Sequence, residues 1–192
     1  GLELAEYAKD ITGTAVDVYV YDTSLDSDGG AWRQRTQATS WYNEAASATR
    51  GSRKEFPAVA VIVAESNQVT IYDGDDPDMP MWMVFNQGTT SYIYSNGDAL
   101  TSVSASNGML VVGTFRLQVI NFVSDNGWKS EDNWYYYSIK PIASRNDTNT
   151  TAYNNTGPRI VNNNVNDVAM TVLPNAPIDP ATGLPVPTIA VA

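Results

Sequence analysis

Apolar and polar residues alternate over VDVYVYD, residues 16 to 22, with Val16, Val18 and Val20 on one face. That is the period of a strand. AWRQRTQ (31–37) is read as a strand returning beside it. EFPAVAVIVAE (55–65) is an unbroken apolar run, as expected of a strand buried on both faces. NQVTIYDGDD (67–76) follows a tight turn at Ser66-Asn67, and MPMWMVFN (79–86) and SYIYSNGD (91–98) are further strands. Trp82 and Phe85 are assigned to the core. LTSVSASNGMLVVGTFRLQVINFVSD (100–125) holds three short strands. Its first pair is joined by Asn107-Gly108, a strong signal for a tight hairpin turn; the second turns between Gly113 and Arg116. WYYYSIKPI (134–142) supplies a fourth strand, and residues 1–12 are read as a short helix or arm.

The pattern repeats. Small-residue strands centre near Val59, Val103 and Val168, and each leads into a second apolar strand. The first interval fits the roughly 40–50-residue period of propeller blades, and insertions lengthen the second. The expected fold is therefore all-β: antiparallel, four-stranded blades of propeller type over residues 13–192, about three repeats, forming an incomplete propeller. Two insertions interrupt it, an Asn/Thr-rich loop at 144–158 and a proline-rich, extended surface segment at 175–187. PTIAVA (187–192) reads as a strand lacking its partner, which predicts that these 192 residues belong to a longer polypeptide.

Composition narrows the chemistry. The chain has no cysteine and no histidine. Ser-His triads and the commonest zinc ligand are thereby excluded. The formal net charge of −10 opposes binding to nucleic-acid phosphates. No apolar run reaches transmembrane length. The one basic cluster, Arg50 to Lys54, is read as a solvated loop rather than a phosphate site.

Three segments carry candidate chemistry. SLDSDGGAW (24–32) fails as an EF-hand loop, because Arg35 falls where the bidentate glutamate belongs. It is similar to the Asp-box hairpin of sialidase-like propellers, with Ser24, Asp26, Gly29 and Trp32 matching once one extra residue is allowed before the glycine. The resemblance implies a structural role, the aspartate tying the turn and the tryptophan packing between strands. DGDDPD (73–78) is a strand-ending turn, a divalent-cation site at Asp73, Asp75, Asp76 and Asp78, or a source of catalytic acids. If it holds an ion, calcium suits its hard oxygen ligands better than zinc. Trp128, Trp134, Tyr135 and Tyr137 are core residues, a subunit interface or a glycan platform. Alternation sends Tyr135 and Tyr137 to one face and Tyr136 to the other.

Residues 16–123 resemble the N-terminal part of large structural proteins of marine tailed bacteriophages, most closely at DSDGGAWR and YDGDDPDMPMW. The resemblance implies a virion component of the tail or host-contact apparatus, and it brings no catalytic residues. The expected function is a non-enzymatic β scaffold of the virion, assembling with copies of itself or with other virion proteins, with no cofactor and no membrane insertion. The alternative is a propeller that binds or cleaves host-surface glycans. Cleavage needs two suitably spaced carboxylates, or the tyrosine and arginines of a sialidase-like site, for which the chain offers eleven tyrosines but few arginines.

Overall fold

The computed structural model describes residues 13–86, 99–147, 151–154 and 156–192. The helix or arm expected at 1–12 and the strand expected at 91–98 lie outside them. The strands are β1 (Ala15–Asp22), β2 (Val59–Glu65), β3 (Gln68–Asp73), β4 (Met81–Asn86), β5 (Ser102–Ser106), β6 (Met109–Gly113), β7 (Leu117–Asn121), β8 (Asn126–Ser130), β9 (Tyr135–Ser138), β10 (Thr151–Asn154), β11 (Val168–Thr171) and β12 (Thr188–Val191). They form antiparallel meanders in sheets of four, six and two strands: β1 to β4, β5 to β10, and β11 with β12. The fold is all-β. Four strands per sheet, the expected number, holds for the first sheet alone.

Two cores separate three layers. The inner face of the first sheet (Ile62, Ala64, Val69, Ile71, Met83, Phe85) packs on Val103, Leu110, Val112 and Ile120 of the second. Trp32, Trp41, Phe56, Trp82 and Phe122 fill the space between, with ring centroids 4.9–5.9 Å apart in tilted and edge-on pairs. Trp82 is the extra residue of a bulge, since Ile71 pairs with Met83 and Tyr72 with Met81. The bulge lets both Trp82 and Met83 reach the core. The opposite face of the second sheet (Val111, Leu117, Val119) packs on Val165 and Val168, forming the second core beneath β11 and β12.

The first strands of the three meanders lie together, β1 against β5 and β5 against β11. Side chains join them. Asp17 accepts the Val103 amide at 2.8 Å, the Tyr19 hydroxyl donates to the Ala105 carbonyl at 3.3 Å, and the Tyr21 hydroxyl accepts from Gly108 N at 2.8 Å. The valine face of β1 points the other way, with Val16, Val18 and Val20 47%, 54% and 61% exposed. The alternation predicts the strand correctly; the face that packs is the Asp-Tyr-Tyr one, because it can hydrogen-bond an otherwise open sheet edge.

Three local expectations need correction. AWRQRTQ does not return as a strand. Residues Ala31–Arg35 form a short 3-10 helix after Gly29 and Gly30, both at positive φ (64° and 80°), and β1 pairs with β2 instead. PTIAVA has its partner: β12 pairs with β11, and Ala192 exchanges main-chain hydrogen bonds with Asp167. The 175–187 segment lies largely at the surface but does not run extended. It folds back through an isolated bridge between Ile178 and Pro185 and drives Leu184 into the first core.

Candidate functional site

Asp26 and Trp32, two of the Asp-box-like residues, are brought together. Trp32 Nε1 donates to Asp26 Oδ2 at 2.7 Å, the Tyr21 hydroxyl donates to the same oxygen at 2.5 Å, and Asn107 N donates to Oδ1 at 2.7 Å. Burial holds the Asp26 carboxyl above its ordinary value, and these donors pull the other way. Burial, then the neighbouring Asp26 charge, pushes the Tyr21 hydroxyl far above the usual phenol range. Gly29 supplies the left-handed turn, while Ser24 stays exposed, its amide held by Asp22. Trp32 and Tyr21 close the 24–32 turn on itself and on β1, while the Asn107 amide ties it to the β5–β6 hairpin.

The acidic turn is neutralised from within. Arg53 Nη1 donates to both Asp73 oxygens (2.6 and 2.7 Å) and to Asp75 Oδ2 (2.9 Å). Asp75 also accepts the amides of Ala58 and Val59, each at 2.7 Å. Burial opposes ionisation of Asp75, but these donors outweigh it and its carboxyl sits below the ordinary value. A carboxyl held ionised cannot serve as a general acid at neutral pH. Asp76 and Asp78 stay exposed, Asp76 receiving the Asp78 amide. Among the described residues, no three acidic side chains are grouped to hold a metal ion. The guanidinium of Arg53 sits where a cation would.

The basic cluster differs from the solvated loop expected of it. Arg50 is 1% exposed and donates to the carbonyls of Trp41, Gly51, Arg53, Lys54 and Trp82 while lying 4.6 Å above the Trp82 ring. Burial, then repulsion by Arg145, lowers its pKa to about 10 against the pull of Glu44, so it remains charged at neutral pH. Glu44 also accepts from Arg145 Nη1 at 2.6 Å, and Arg145 reaches the carbonyls of Val84 and Thr49. Arg50, Glu44 and Arg145 pin the 41–54 loop to the first sheet and to the 142–145 turn. Sequence reasoning missed this group, because Arg50 is buried by a loop folding around it and Arg145 by carbonyls 61 and 96 residues away, and neither leaves a mark in the residue types.

The aromatic residues mark a groove. Trp128 and Tyr137 face each other across β8 and β9, and Tyr135 lies 5.7 Å from Trp128 at 37°. Tyr136 turns to the other face, beneath Lys129, as alternation predicts. Trp134 and Tyr137 are 42% and 41% exposed. A strap at 156–166 crosses this face. A Cβ on Gly157 would lie 2.1 Å from the Tyr135 ring, so the strap lies flat on it. Ser130 fastens the strap, its hydroxyl donating to the Pro158 carbonyl at 2.8 Å and accepting from Ile160 N at 3.0 Å. Between strap, sheet and β12 lies a groove of about 680 Å³. Met109, Leu117 and Trp128 form its floor, and Arg159, Asn162, Asn164 and Asn166 stand at its wall. Sequence reasoning singled out Trp128 and overlooked the wall. Its signal is the run NNNVN (162–166), in which Val165 is buried and Asn163 pairs with Asp132.

No helix among the described residues is long and apolar enough to cross a membrane. No protein-family model matches the chain, and no curated protein matches it.

Proposed function

We propose that the protein is a non-enzymatic scaffold of a tailed-phage virion, in the tail or host-contact apparatus, that assembles with copies of itself or with other virion proteins. The carrying observation is the outward row of Val16, Val18 and Val20 on the edge strand β1, three exposed apolar side chains on a strand whose opposite face is joined to β5 and the turn after it through Asp17, Tyr19 and Tyr21. Contiguous apolar surface of this kind marks interaction sites. The interior ionisable groups suit a rigid support: Asp26, Arg50, Arg145 and Arg53 each tie a loop to a sheet.

The finer architecture we propose is propeller-type. Successive meanders, face-to-face cores and first strands lying side by side support that reading, since blades stack in this way around a central channel.

Mass spectrometry of purified particles whose genome encodes the chain tests the assignment. The expected result is its peptides at a fixed stoichiometry, and loss of incorporation for Val18→Asp with an unchanged melting temperature. Absence from the particles would sink it.

A further inference from the structure

We infer that the groove over β6–β8 is a binding site for an acidic glycan, one carrying carboxylated or sulfated sugar rings. The inference does not depend on where the protein assembles.

Three observations converge. Trp128 offers a half-buried indole at the groove floor, steadied by Tyr135. A sugar ring presents a flat apolar C–H face that stacks on such a surface, and an aromatic that pairs an apolar face with a polar edge is suited to it. The side-chain amides of Asn162, Asn164 and Asn166 line the groove and have no hydrogen-bond partner among the described residues, whereas their neighbours Asn163 and Val165 are anchored, one to Asp132 and one in the core. Each free amide offers both donors and an acceptor, the mixture that hydroxyl groups require.

Charge then selects among sugars. Among the described residues, Arg159 is the only charged side chain lining the groove, and it pairs with no carboxylate. The chain as a whole carries −10, so an unpaired cation beside an aromatic floor is a local reversal of sign. Its main chain is held in place: Pro158 and Ile160 on either side are bonded to Ser130, which shares a strand face with Trp128 two residues away. Residues two apart on a strand lie roughly 7 Å from one another, about the span of one sugar ring. A guanidinium forks onto a carboxylate or sulfate, which gives geometry as well as attraction. A neutral glycan would leave that fork unused.

A glycan array carrying uronate-, sialate- and sulfate-bearing oligosaccharides beside neutral ones tests this. Wild-type protein should retain acidic members and release them as salt rises. Arg159→Gln, at an exposed position, should weaken that retention about tenfold or more with the melting temperature unchanged. Asn162→Ala with Asn166→Ala, also exposed, should weaken it further, and Trp128→Ala should remove it. Because Trp128 also packs on the strap, the surface variants keep the test decisive should Trp128→Ala fail to fold. No acidic glycan retained, or retention indifferent to Arg159→Gln, would overturn the inference.

Discussion

The Asp17 carboxylate accepts the main-chain amide of Val103 at 2.8 Å, and its Oδ2 also receives the Ser102 hydroxyl at 3.2 Å. A side chain of one sheet thereby occupies an edge group of another, a position where a further strand would otherwise pair. Asp17→Ala is expected to cost about 1 kcal/mol and to raise amide hydrogen exchange at Val103 above that of Val112 across the ladder. Unchanged protection at Val103 would contradict the edge-closing role.

Arg50 is a sharper case. A lysine carries one compact head and cannot reach carbonyls on opposite sides at once. Arg50→Lys should lower unfolding free energy by about 1–3 kcal/mol, as buried carbonyls lose donors, and Arg50→Ala by about 3–5 kcal/mol, since Glu44 loses a neighbour as well. Denaturant titration with tryptophan fluorescence reads both, because Trp41 and Trp82 flank the site.

Asp75 predicts an acid limb. Its carboxyl lies below the ordinary aspartate value of 3.8 in the folded protein. The stability it contributes is present above that ordinary value and is lost as pH falls through the folded one. Asp75→Asn should therefore be less stable than wild type at pH 7, and the gap should narrow below pH 3.8. A gap independent of pH would show that Asp75 acts by shape alone. Because Arg53 already occupies the acidic turn, millimolar calcium is expected to leave the melting temperature of the wild type unchanged.

Gly108 and Gly29 make a matched pair. Both have positive φ, 71° and 64°. A Cβ on Gly108 would lie 2.6 Å from Val123 Cγ2 and 3.2 Å from Trp32, whereas one on Gly29 meets nothing within 4 Å. Gly29→Ala should cost about 1 kcal/mol of backbone strain, and Gly108→Ala that amount plus a steric penalty. Equal losses in thermal denaturation would remove the packing argument.

What the sequence discloses follows the range of the interaction that decides it. Asn107-Gly108 is legible because the left-handed dihedrals of a tight hairpin are a local demand, and both residues have them (φ 50° and 71°). Trp82 and Phe85 are legible as core, each 1% exposed, because they sit in an apolar strand. The face of β1 is misleading: Val16, Val18 and Val20 are the more apolar side chains, but β5 and the turn after it offer Asp17, Tyr19 and Tyr21 hydrogen-bond partners 86 to 87 residues away. Residues 31–37 fail as a strand for a local reason: Gly29 and Gly30 turn the chain left-handed and Trp32 folds back to Asp26, six residues earlier. The groove is legible by halves. Trp128 stands out by type; Arg159 and the three asparagines acquire meaning only once Ser130 fixes the strap above it.

The hairpin at Asn107 joins parts of the chain that are far apart. Its main-chain amide reaches Asp26, and its side chain donates to Ser27 Oγ and the Pro185 carbonyl and accepts from Ser27 N; the sequence separations are 81, 80, 78 and 80 residues. Loops of that length close only after both meanders have collapsed. This polar junction is thus expected to form late in folding, after the transition state, and to act as a latch on escape from the native state. Asn107→Ala should speed unfolding in stopped-flow measurements while leaving the refolding rate nearly unchanged. The lifetime of the native state would then be set by the three side-chain hydrogen bonds of one asparagine, and much less by the apolar layers that hold most of the buried surface.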